Sequence, residues 1–156
     1  MVSEPLRTPH DNDASKARLR LWIRLLRSSR FIENEIRNRL RTEFGVTLPR
    51  FDVMAALFRV PNGMLMSELS RYLMVSNGNV TGIVDRLVDD GMVVRAQRDG
   101  DRRAWLVRLT PKGMKGFEEM AKRHEGWIDE ILVSFPVQDA EELSHFLGRI
   151  EKEQRP

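Results

Sequence analysis

A chain of 156 residues with 41% hydrophobic content has room for a single core and is too apolar for a disordered segment. Twenty-six Lys and Arg against 23 Asp and Glu leave a net charge of +3, compatible with a nucleic-acid partner but not proof of one. No apolar run reaches the roughly 20 residues of a membrane span, no secretory pattern opens the chain, and there is no cysteine, so a cytoplasmic protein without disulfides or thiol chemistry is expected.

Residues 1–14 are polar and proline-broken and read as a flexible tail. A long helix is predicted from Ser15 to Phe44, with Leu19, Trp22, Ile23, Leu26, Ile32, Ile36 and Leu40 apolar. Its apolar coverage near Leu19–Leu26 is wider than one stripe requires, which suits burial by a second subunit. Between Lys16 and Arg41 it carries nine basic residues against two acids, and Lys16, Arg20, Arg24 and Arg27 share one face. Gly45 to Pro49 ends this helix. Pro49 opens the next, with Phe51, Val53, Met54, Leu57 and Phe58, and Pro61-Asn62-Gly63 closes it as a turn.

The segment from Met66 to Thr110 organises the rest. A short amphipathic stretch (Leu65, Leu69, Tyr72, Leu73) breaks at Met74-Val75-Ser76. Val80, Ile83, Val84, Leu87 and Val88 then recur at helical spacing, with Ser76 placed as N-cap and Gly91 as C′ residue. Opposite the apolar face lie Gly78, Thr81, Gly82 and Asp85, flanked by Asn79 and Arg86. Two glycines there cost about 1 kcal/mol each in helix propensity and remove bulk where a groove wall could approach. Two strands follow, Met92–Arg98 and Ala104–Thr110, turning at Asp99-Gly100. Five arginines (95, 98, 102, 103 and 108) face two aspartates (99 and 101) across this ribbon. Helix, tight turn, helix and β-ribbon is the order of a winged helix-turn-helix, whose second helix reads the major groove. Ser76, Asn77, Asn79, Thr81, Gly82 and Arg86 are its candidate DNA contacts. Arg98, Asp101, Arg102 and Arg103 are candidates on the wing, where arginine suits a narrow minor groove.

Thr110-Pro111 is a cap followed by proline at the first helical position. Met114, Phe117, Ala121, His124, Ile128 and Ile131 then form a seam at spacings of three and four, broken by Pro136. A last helix presents Ala140, Leu143, Phe146, Leu147 and Ile150. The expected fold is mainly α with a small β-wing. Residues 47–111 form the winged helix-turn-helix, and 15–46 with 112–154 form a helical dimerisation layer from both chain ends, all one interleaved domain. A two-fold dimer would present its recognition helices to half-sites about one DNA turn apart.

The chain resembles the MarR family of bacterial transcription regulators. The resemblance rests on Asp85-Arg86-Leu87, on Gly91-Met92-Val93, and above all on Asp101-Arg102-Arg103-Ala104 followed by Leu106-Val107-Arg108-Leu109-Thr110. It implies a homodimer on a pseudo-palindromic operator, usually a repressor. It also implies that the helix matching Ser76–Asp90 enters the major groove, and that Arg103, held by Asp101, enters the minor groove. The absence of cysteine excludes the thiol-oxidation switch of some relatives and favours a small-molecule signal.

The arginine face of the first helix has two readings, a solvated surface or a patch for the phosphates of an anionic effector. With Leu73-Met-Val-Ser-Asn-Gly-Asn-Val-Thr-Gly, it resembles the branch that senses hydroxycinnamoyl-CoA thioesters or related aromatic acids. Candidate effector residues are Arg20, Arg24 and Arg27 for the phosphates, with Leu26, Phe31, Met54, Phe58 and Met66 for an aromatic acyl group or a phenolic carboxylate. His124 reads as a dimer-interface residue, and His10 and His145 have no ligand spacing with it, so no metal is expected. No phosphate loop, nucleophile elbow or metal cluster suggests an enzyme. The alternative is an architectural DNA-binding protein with no effector.

Overall fold

The computed structural model describes residues 9–98 and 100–153, with side chains described for 13–97 and 104–150. A 36-residue helix, α1 (Pro9–Phe44), opens the fold. It starts six residues before the expected Ser15. Pro9 at the first helical position needs no N–H, and no proline or glycine interrupts the run from there to Phe44, so the polar stretch read as tail is helical from Pro9. Gly45, in the left-handed region at φ +64°, closes α1, its amide donating to the Arg41 carbonyl at 3.0 Å.

Helix α2 (Leu48–Phe58) follows, with proline in its first turn. Then come β1 (Met64–Leu65), α3 (Met66–Leu73), α4 (Asn77–Asp89), β2 (Val93–Arg98), β3 (Asp101–Leu109), α5 (Pro111–Ile131) and α6 (Val137–Glu153). The strands form one antiparallel sheet in the order β1-β3-β2. Val93 opposes Leu109 and Gln97 opposes Trp105, with an irregularity before Arg98 pairs with Asp101. The long ribbon follows the sequence pattern, although β3 begins at Asp101 rather than Ala104. The two-residue β1, opposite Leu106 and Val107, had no sequence signal.

The core lies between Ile36 and Trp127. Ile36 and Leu40 of α1 and Phe51, Val53, Met54, Ala56 and Leu57 of α2 meet Leu69, Val80, Val84 and Leu87 from the helix-turn-helix. Val93 and Val107 close it from the sheet, and Phe117, Met120 and Trp127 from α5. The Phe117 ring lies 5.4 Å from Phe51 and 4.9 Å from Phe58, centroid to centroid. The expected α5 seam omitted Met120 and Trp127, which are buried, and Trp127 packs near Phe44. His124, half-buried, stacks on Phe51 of the same chain at 4.9 Å and packs against this core. Burial holds its imidazole below the usual histidine range.

Both chain ends leave this core. On α1, Leu19, Leu21, Trp22 and Phe31 are exposed, Trp22 by 56%. On the other end, Val133, Phe135, Val137, Leu143, Phe146 and Ile150 are exposed as well, Phe146 also by 56%.

Candidate nucleic-acid interface

The recognition element is built by caps and one unusual turn. Met74 ends α3 in the left-handed region at φ 56°, a conformation that costs a β-carbon-bearing residue about 1–2 kcal/mol. Its amide still donates to the Arg71 carbonyl, the Val75 amide donates to Ser70, and the Ser70 hydroxyl donates to the Val75 carbonyl at 2.7 Å. This tight turn aims α4 away from α3. Ser76 then caps α4, its hydroxyl oxygen accepting from the Asn79 amide at 3.3 Å.

Helix α4 buries Val80, Val84 and Leu87 and exposes Asn77, Gly78, Asn79, Thr81, Gly82, Asp85 and Arg86. A β-carbon at Gly78 or Gly82 would meet nothing within 4 Å. Neither glycine is required by the fold, and both leave the outward face low. The Thr81 hydroxyl donates to the Asn77 carbonyl at 2.8 Å, so outward it is an acceptor. Asp85 would repel a phosphate, but Arg95 of β2 pairs with it at 2.6 Å and also reaches the Thr81 carbonyl at 3.4 Å. That pair cancels the acid on the reading face and ties the wing to α4. In the sequence Arg95 is one ribbon cation among five; its role appears only in three dimensions.

The C-terminal end of α4 is equally fixed. Gly91 adopts φ +72°, the Thr110 hydroxyl donates to its carbonyl at 2.7 Å, and Lys112 Nζ donates to the Asp90 carbonyl at 2.8 Å. Thr110 also caps α5, accepting from the Gly113 amide at 2.9 Å. Gly113 sits so close to the Met92 carbonyl that a β-carbon there would collide with backbone.

The wing hairpin turns through Gly100 at φ +84°. The side chains of Arg98, Asp101, Arg102 and Arg103 lie outside the described residues, as does Asp99 entirely. Trp105, on the described part of β3, is 43% exposed. With Met66, Asn77, Thr81 and Ala104 it lines a depression of about 450 Å³ between the wing and the start of α4. A larger one, about 870 Å³, borders the opposite flank of α4 and is lined by α1 and α2.

The eight effector candidates separate. Arg20, Arg24, Arg27 and Phe31 are exposed on α1 and Leu26 is half-buried. Met54 is 1% exposed and belongs to the closed core, so in this chain it offers no surface to a ligand. Phe58 packs on Phe117, and Met66 faces the depression beside the wing. Among the described residues no group of three His, Cys, Asp or Glu could hold a metal, and no helix is long and apolar enough to cross a membrane.

Comparison with known proteins agrees with this architecture. A profile described as MarR family matches residues 44–104, from the end of α1 into the wing. The chain is 34% identical over 134 residues to the transcriptional activatory protein BadR of Rhodopseudomonas palustris, covering 84% of this chain and 76% of that one. It is 29% identical to the HTH-type transcriptional regulator PecS of Dickeya dadantii, covering 71% and 68%. The crystal structure of a MarR family transcriptional regulator from Silicibacter pomeroyi superposes with a TM-score of 0.78 at 35% identity, covering 92% of this chain and 99% of the other. With its winged helix-turn-helix and these relatives, which are transcription regulators and not enzymes, the chain belongs to the MarR family of DNA-binding transcription regulators.

Proposed function

We propose that the protein is a homodimeric, ligand-responsive regulator that occupies a pseudo-palindromic operator and releases it when an aromatic acid or its CoA thioester binds. The observation that carries the DNA half is α4: capped by Ser76, its outward face lowered by Gly78 and Gly82, its one mid-face acid neutralised by Arg95. Asn77, Asn79 and Thr81 at its N-terminal end reach base edges, Arg86 a phosphate, and Arg103 of the wing, held by Asp101, the minor groove. The exposed apolar residues at both chain ends pair two copies and set the spacing of their reading heads.

Release is a coupling of two binding equilibria. A ligand that favours a head spacing unlike that of the operator-bound state lowers DNA affinity, and DNA lowers ligand affinity by the same factor. Exposed Arg20, Arg24 and Arg27 meet the effector's anionic groups, and Leu26, Phe31, Phe58 and Met66 border its aromatic part. Occupancy represses where the operator overlaps the promoter and activates where it lies upstream; the BadR relative carries an activator's name.

Calorimetric titration of the DNA-free protein with p-coumaroyl-CoA, p-coumarate and CoA separately tests the effector. Binding of the thioester, with loss of operator affinity by the same factor, is expected. Heat from the free acid alone returns the arginine face to solvent. No heat from any of the three removes the effector and leaves an architectural DNA-binding protein.

A further inference from the structure

The two depressions flanking α4 differ in chemistry. The one on the α1/α2 side brings together Arg37 and Arg41 of α1, Arg50 of α2 and Arg86 of α4, and no acid is among the described residues lining it. Four guanidiniums from three helices repel one another unless an anion lies among them. Two are aimed from behind: Arg37 by Glu33 and Asn34, each at 2.7 Å, and Arg50 by Asp90 at 3.2 Å. Arg41 and Arg86 have no side-chain partner among the described residues. Helix α2 also begins here with no acid in its first turn and no side-chain cap from Thr47, which adds the positive end of its dipole.

The groove is continuous with the reading face, because Gly78, Gly82 and Arg86 border both. A helix seated in a major groove about 12 Å wide has one phosphate backbone on each flank. The wing takes one flank, and the arginine groove is the other. We propose that this groove seats the sugar-phosphate backbone of the operator strand opposite the wing, with Arg41 and Arg37 on its phosphates and the two glycines admitting the strand. The C-terminal part of α1 is thereby a DNA-positioning element. This inference rests on the DNA-reading role proposed above.

The test is the salt dependence of binding, by fluorescence anisotropy, to an operator selected in vitro with the wild-type protein and to an unrelated duplex. Arg41 is exposed, so Arg41→Gln should fold normally, which a thermal unfolding curve verifies. It is expected to weaken both duplexes by the same factor, roughly 3–10-fold, and to lower the slope of log K against log[salt] by about 0.9 for each phosphate no longer neutralised. Sequence preference stays unchanged. Arg18→Gln, exposed on the far half of α1, should leave the slope at its wild-type value.

A wild-type slope for Arg41→Gln overturns the inference, and so does an equal loss from Arg18→Gln, which would make net charge the cause. Inorganic pyrophosphate binding the DNA-free protein, abolished in Arg41→Gln while the DNA slope persists, would make the groove a small-anion site instead. Failure of the underlying DNA role looks different: the wild type itself would select no operator, and both ideas would fall.

Discussion

The reading head and the chain ends solve opposite problems with similar residues. Between Ile36 and Trp127 the apolar side chains close on one another, and Leu40, Val53, Leu69, Val80, Val84 and Val107 are fully buried. On the first half of α1 and on α6 equally apolar side chains stay in solvent, from Leu19 and Trp22 to Leu143 and Phe146. A head with its own core can be held at any spacing; in the dimer proposed above, the ends without one are covered by a second copy. On that proposal the contrast separates where the protein reads DNA from where its two heads are set relative to each other.

The largest effect should come from the ends. Phe146→Glu combined with Leu143→Glu places charge on the pairing surface without touching the core. Sedimentation should then show a monomer whose head remains folded, and operator affinity should fall on the order of 100-fold or more as bivalent engagement disappears. Within the head, Leu57→Ala opens a cavity at a side chain 1% exposed. It should cost about 2–5 kcal/mol in denaturant unfolding, with the surviving folded fraction still dimeric.

A third substitution separates stability from reading. Gly82→Ala has open space for its methyl group and a normal helical backbone. Thermal unfolding should show a gain of about 1 kcal/mol, while operator binding weakens because the added group meets the groove. A variant both more stable and equally tight on DNA would mean that α4 does not enter the groove by this face.

The smallest effect is a pH dependence. Burial against Phe51 lowers the folded-state pKa of His124 below 6.5. Between that value and 6.5 the unfolded chain binds more protons than the folded one. This contribution to stability is therefore complete above about pH 6.5 and declines as pH falls below it. Unfolding midpoints measured at pH 7.5 and 5.5 should differ less in His124→Gln than in the wild type.

Local signals explain what was legible in the sequence. The caps Ser76 and Thr110, the C′ glycine Gly91 and the turn at Gly100 each act within a few residues, so α4, the wing and the start of α5 could be placed closely. Pro9 looked like tail because polarity outweighed the fact that nothing after it breaks a helix. The β1 strand has two residues and exists only because Leu106 and Val107 lie beside it. Met120 and Trp127 fell outside the assumed seam because α5 packs a broad stripe onto α1 and α2 rather than a narrow one. The arginine groove was invisible for the same reason: Arg37, Arg50 and Arg86 are far apart in sequence, and only the packing of α1, α2 and α4 brings them together. The Arg95–Asp85 pair spans helix and wing in the same way.

The central claim, two self-contained heads spaced by paired ends on one operator, is tested most directly by hydroxyl-radical footprinting of the selected operator alongside the mass of the complex. The account predicts two copies per duplex and a two-fold symmetric footprint, with protected half-sites about one helical turn apart. One copy per duplex, or an asymmetric footprint with a single protected major groove, would contradict it.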